Sequence, residues 1–194
     1  MNNKLALIAV FLVFLLPVMT ATLMHSEWFD WQPASMRNHG ELVQPVLPVR
    51  DFEITLTSDT GAEAISRDAL LDRWMLVYYH PTGCAEACLE NLYWLRQVRR
   101  AQDRHQPDVG LVFAAREPAG TETREQILGL ADDFLILAGP EAEPFWNQLP
   151  GEAVNAAFFI LDPAGNIILR YPEDADHNGI RRDLRRLLTW TQRD

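Results

Sequence analysis

Lysine is almost missing from this chain of 194 residues: Lys4 is the only one, and every other basic group is arginine. Seventeen basic residues face 27 acidic ones, a formal net charge of -10 at pH 7. So acidic a chain repels phosphates, which excludes nucleic acid as a partner. No glycine-rich loop of the required kind follows a strand, so flavin, nicotinamide and nucleotide sites are excluded, and no small-molecule substrate is expected. Internal repeats and low-complexity segments are absent. Cysteine is scarce: Cys84 and Cys88 are the only two, enough for a single disulfide.

Long uncharged runs are also rare, with one exception. Residues 5–24, LALIAVFLVFLLPVMTATLM, carry no charge. At about 1.5 Å per residue, a helix there reaches roughly the 30 Å of a hydrocarbon layer. Lys4 and the free amino terminus before it suit a cytoplasmic start. Residues 1–24 are thus expected to form a transmembrane anchor or uncleaved signal, with a cleaved signal peptide as the alternative. Either way the rest of the chain is expected to be exported. Residues 25–48 read as a linker: Trp28 and Trp31 suit a membrane interface or docking on the domain, and Pro45 and Pro48 suggest a stiff, extended connection. The remainder, 49–194, is long enough for one domain with a sizeable core.

Within 49–194 strands and helices alternate. Phe52, Ile54 and Leu56 give a strand followed by a turn at 59–61, and 66–71 suit a short helix. WMLVYYH at 74–80 is an apolar run too short for most helices and reads as a central strand, ended by PTG. Cys88, Leu92, Leu95 and Val98 recur at helical spacing, with arginines closing that helix at its negative end. VGLVFAA and FLILAG are further strands, separated by a helix from Thr121, and EAEPFWNQL is a short helix. AAFFILDPAGNIILRY is a strand, a turn and a strand. In that turn Asp162 bonds back, Pro163 fixes φ, and Gly165 or Asn166 takes positive φ. GIRRDLRRLLTW closes the chain as an amphipathic helix. The pattern predicts an α/β fold with a central mixed sheet flanked by helices.

Cys84 falls between a strand and a helix, where free amides and the helix dipole favour a thiolate. Cys88 lies one turn later on the same face. In a strict helix that spacing places the Cα atoms near the upper limit for a disulfide, so some strain is expected. A structural bridge across three residues restrains little of the unfolded chain, which favours a redox role with Cys84 attacking and Cys88 resolving. Two thiolates also suit Cu(I), with His80 as the nearest candidate third ligand. Two buried small side chains are the bland alternative. Glu86 and Glu90 bracket Cys88 and oppose a thiolate. His177 is read as part of the loop before the closing helix, able to reach the flank of the sheet but hardly the start of the cysteine helix. His25, His39 and His105 read as surface or linker residues. Arg116 and Arg170 are only loose candidates for a peroxide-binding arginine.

The anchor, the DRWMLVYYHPTGCAEAC segment, VGLVFAA and FFILDPAGNIILRY together resemble the SCO/SenC family of cytochrome c oxidase assembly proteins. The resemblance spans roughly residues 49–190. It implies a thioredoxin-like fold, an inner-membrane single-pass placement with the domain in the periplasm, and copper-binding or redox thiols at Cys84 and Cys88. The expected partner is a respiratory oxidase subunit or a copper-receiving protein. Three departures stand out. Ala85 and Leu89 replace the prolines that commonly follow the family's cysteines. No histidine stands near Val154, where the family places its third copper ligand. No proline opens the strand where thioredoxins carry their cis-proline, the nearest being Pro150. Three functions follow: thiol–disulfide chemistry in oxidase copper-centre assembly, Cu(I) delivery to the oxidase, or a non-enzymatic scaffold for an oxidase subunit.

Overall fold

The computed structural model describes residues 3–24, 38–58, 61–151 and 155–190. His25, Trp28, Trp31 and Val154 lie outside these. The chain divides into two compact units, Met1–Arg37 and Asn38–Asp194.

In the first unit, Asn3–Met24 forms α1, with Pro17 inside it. Thr20 and Thr22 donate their hydroxyls back to the carbonyls of Leu16 and Val18. The membrane anchor expected at 1–24 is corrected here: among the described residues, no helix is long and apolar enough to cross a membrane. That finding overturns the expected transmembrane element, membrane contact and single-pass inner-membrane placement with a periplasmic domain.

The second unit holds a six-stranded sheet in the order β1-β8-β7-β4-β5-β6. Its strands are β1 (Glu41–Pro48), β4 (Trp74–His80), β5 (Val109–Ala115), β6 (Phe134–Ala138), β7 (Ala157–Leu161) and β8 (Asn166–Pro172). A separate hairpin pairs β2 (Glu53–Ser58) with β3 (Gly61–Ser66). The helices are α2 (Glu86–Arg100), α3 (Thr121–Leu130), the short α4 (Glu143–Trp146) and α5 (His177–Trp190). β4, β5 and β6 run parallel, while β7, β8 and β1 are antiparallel to their neighbours. The expected mixed sheet with flanking helices is present.

Successive strand residues point to opposite faces, so WMLVYYH, which reads as one apolar run, feeds two cores. Trp74, Leu76 and Tyr78 join Leu92, Leu95 and Val98 of α2, Ile127 of α3, and Ile180, Leu184 and Leu188 of α5. Met75, Val77 and Tyr79 face Ile54 and Leu56 of β2, Ile65 of β3, and Phe145 and Trp146 of α4. Helices thus cover one face, and the hairpin with α4 covers most of the other. Both faces of β4 are buried because both are covered.

The β7–β8 turn forms as its residues require. Asp162 Oδ1 accepts from the amides of Ala164 and Asn166 at 2.9 and 2.8 Å. Gly165 takes φ 81°, open to glycine at no steric cost. Residues 41–48, read from sequence as part of a linker, form β1 on the sheet edge. Pro45 and Pro48 are tolerated because an edge strand has one side free of ladder bonds.

Candidate redox site at the end of β4

β4 ends at His80, and a bend at Pro81 and Thr82 leads into the cysteine loop. Gly83 donates its amide to Glu117 Oε2 at 2.8 Å, tying this loop to the one that follows β5. Parallel pairing explains that contact: His80 lies opposite Ala115, so the loops leaving both strands emerge side by side. Cys84 and Cys88 form a disulfide with Cα atoms 5.1 Å apart, well inside the usual range. The expected strain at the limit of Cα separation is therefore corrected. Ala85, the residue before α2, is extended at φ -92° and ψ -174°, so Cys84 lies outside the helix. Leu89 then donates its amide to the Ala85 carbonyl, closing the first turn.

The two sulfurs differ in access. Cys88 is 2 % exposed and packs in the helix-side core, whereas Cys84 is half-buried at its edge. Attack on a disulfide requires approach to one sulfur, and the accessible one belongs to Cys84.

A polar cluster that the sequence did not reveal lies beside the disulfide loop. Tyr78, fully buried, donates its hydroxyl to Glu173 Oε1 at 2.9 Å and accepts from Asn91 Nδ2 at 3.1 Å. Burial holds the Tyr78 hydroxyl above the ordinary phenol range, Asn91 opposes this and Glu173 adds to it. His80 turns Nδ1 onto the amide, carbonyl and hydroxyl of Thr82 at 3.1–3.3 Å, and its Nε2 faces Glu173 Oε1 at 4.0 Å. Glu173 is 93 positions from His80, and only the β4–β7–β8 register unites them. Tyr79 lies opposite Ala157, and Ala157 opposite Pro172.

His177 is not in a loop. It is the first residue of α5, stacked on Trp94 of α2 at 5.3 Å and edge-on to Phe158 at 5.8 Å. Packing of α5 on α2 brings it to the middle of the cysteine helix rather than only to the flank of the sheet. Burial lowers its pKa from the ordinary 6.5, while Asp176 and Glu90 pull the other way. A folded-state value below the unfolded one gives stability that is complete above about pH 6.5 and is lost as pH falls through the folded value. Stability should therefore drop as pH falls below about 6.5, and His177→Phe should flatten that drop in urea titrations. An unchanged slope would show that the ring is not the titrating group.

In this oxidised arrangement the candidate copper ligands are engaged elsewhere. The sulfurs are bonded to each other, His80 is engaged by Thr82 and Glu173, and His177 lies between aromatic rings. Among the described residues no group of three His, Cys, Asp or Glu is placed to hold a metal ion. The only cis peptide among the described residues is Gln44–Pro45, away from the β7 start. Arg116 lies over the Trp146 ring at 5.2 Å, on the hairpin side of the sheet, so it is not poised over Cys84 as a peroxide clamp.

A mixed sheet with a cysteine pair between its central strand and the following helix defines a thioredoxin-like protein. Residues 74–191 match the family model described as "transmembrane-like, thioredoxin-like, C-terminal domain", and the chain belongs to that family. Among solved structures it is similar to the apo Sco1 protein from Thermus thermophilus, at 20% identity and TM-score 0.59, covering 77% of this chain and 96% of that one. Copper-bound ScoI from Arabidopsis thaliana matches at 15% identity and TM-score 0.57, covering 72% and 98%. Copper-bound ScoI from Bradyrhizobium japonicum matches at 16% identity and TM-score 0.52, covering 70% and 98%. A search of curated proteins finds no match. The resemblance to SCO/SenC proteins read from the sequence is thus borne out, and at these identities it is a likeness of fold.

Proposed function

We propose that this protein is a thiol–disulfide exchange protein that works through Cys84 and Cys88. The observation that carries the reading is the disulfide itself, with one accessible and one buried sulfur at the end of the central strand. In the reduced protein the Cys84 thiolate attacks a partner disulfide and forms a mixed disulfide, releasing one partner thiolate. Cys88 then attacks Cys84, restores the Cys84–Cys88 bond and releases the second partner thiol. Two electrons pass to the partner.

The Sco structures support a copper-receiving protein or oxidase subunit as the partner, because two are described with copper bound. Cysteines must be reduced before they can take up such a metal. Copper then belongs to the partner as cargo. A resident copper ion on Cys84, Cys88 and His80 is the second reading: the likeness to copper-bound Sco structures favours it, and it requires the disulfide to be reduced first.

A redox titration of the protein in dithiothreitol buffers, followed by thiol alkylation and mass measurement, tests the reading. One reversible two-electron transition that includes both cysteines is expected. A disulfide that stays intact across the range accessible to cellular dithiols would overturn it, leaving a structural bridge.

A further inference from the structure

The surroundings of the disulfide carry one sign of charge. Glu86 and Glu90 stand on the first turns of α2, on either side of Cys88. Glu117 is fixed to Gly83, next to Cys84. Glu173 lies within 4.0 Å of His80 Nε2 and 3.5 Å of Asn91, and Asp174 follows it in the turn. Asp176 and Glu90 both act electrostatically on His177. The nearby cations face elsewhere. Arg116 reaches over Trp146 on the other face, and Arg96, Arg99 and Arg100 belong to the far end of α2. From Cys84 to Arg96 is roughly 18 Å of helix, beyond a Debye length at physiological salt. Tyr93 and Trp94, exposed one turn after Glu90, add aromatic surface, which also attracts cations.

We propose that the Cys84–Cys88 pair selects substrates that carry positive charge beside the reacting sulfur, with Glu86, Glu90, Glu117, Glu173, Asp174 and Asp176 as the specificity determinants. This rests on the thiol–disulfide reading and names its substrate class: a cationic cysteine segment of the partner. The thiolate charge of the exchange, left on the partner as its disulfide opens or brought by a reducing thiol, is repelled by the rim, and a neighbouring ammonium or guanidinium offsets that repulsion as the sulfurs meet.

Small thiols separate this inference from the reading beneath it. A cysteamine thiolate attacks Cys84, the Cys84–Cys88 bond breaks, and Cys88 leaves as a thiolate that takes up a proton. A second cysteamine attacks the cysteamine sulfur of the mixed disulfide and releases Cys84, giving cystamine and the protein dithiol. The oxidised protein is reduced in parallel with cationic cysteamine, neutral 2-mercaptoethanol and anionic 3-mercaptopropionate, with rates corrected for the thiolate fraction of each. At low ionic strength cysteamine should exceed mercaptopropionate on the order of tenfold or more, and about 0.5 M salt should remove most of that ratio. The double variant Glu86→Gln, Glu90→Gln should shrink the ratio, with the neutral thiol as internal reference. A ratio near one, or one that neither salt nor the substitutions move, overturns the charge selectivity. Failure of all three thiols, 2-mercaptoethanol included, overturns the exchange reading itself.

Discussion

Cys88→Ser should turn the protein into a trap. When the reduced variant meets hydroxyethyl disulfide, Cys84 should form a mixed disulfide that persists, because the residue that would resolve it is gone. The adduct is read directly as a mass increase that dithiothreitol reverses. Cys84→Ser should accumulate the same adduct at least roughly ten times more slowly, since the remaining sulfur at position 88 is only 2 % exposed and exchange requires access. The asymmetry follows from where α2 starts. Ala85 is extended, so Cys84 belongs to the loop and its sulfur lies at the core edge, whereas Cys88 lies within the helix and faces inward. Circular dichroism of both variants guards against a folding explanation. Faster modification of Cys88 in Cys84→Ser than of Cys84 in Cys88→Ser would reverse the proposed roles.

Much of this site could be read from the chain because its parts are local. The strand at 74–80, the break at PTG and the helical spacing of Cys88, Leu92, Leu95 and Val98 all lie within residues 74–98. What failed was the expectation of strain, which took the spacing of a strict helix for the two cysteines. One extended residue, Ala85, brings the Cα atoms to 5.1 Å, and alanine carries no signal for that conformation. The acidic rim was half visible. Glu86 and Glu90 sit beside the cysteines in sequence, and Glu117 follows the strand that pairs in parallel with β4. Glu173 needed the register of three strands, which no local pattern encodes. His177 was misplaced because Asp174 to His177 reads as polar loop, whereas Asp176 accepts the amide of Asn178 and starts α5 directly.

The N-terminal edge of the domain was the least legible. Prolines at 45 and 48 argue for an isolated extended linker on local grounds. They also fit an edge strand, and only the contacts at its start decide between the two. Those contacts converge on Asp183, 144 positions from His39.

Asp183→Ala should be among the most destabilising single substitutions in the domain. Its carboxylate is 1 % exposed. Oδ2 accepts the amides of His39 and Gly40 at 2.6 and 3.1 Å and the hydroxyl of Tyr171 at 2.9 Å, and Oδ1 lies 3.1 Å from His39 Nδ1. Two glycines permit this closeness. A Cβ on Gly40 would lie 2.5 Å from the Tyr171 ring, and one on Gly179 would lie 2.9 Å from His39. Alanine at 183 removes the acceptor from all four groups at once and strands the Gly40 amide and Tyr171 hydroxyl inside the protein. Breaking a buried charged network of this kind costs about 3–5 kcal/mol, against about 1 kcal/mol for Tyr171→Phe, which removes one donor and leaves the others paired. For a domain of this size the larger figure corresponds to a fall in Tm on the order of 10 °C. Thermal melts of the two variants, with hydrogen exchange over 41–48, separate the outcomes. Exchange in β1 should accelerate more than in β4 or β5, because the lost contacts anchor the edge strand to α5 while the central strands keep their partners. An Asp183→Ala variant within about 1 kcal/mol of the parent, with β1 still protected, would mean that the pairing of β1 with β8 holds the edge without the carboxylate.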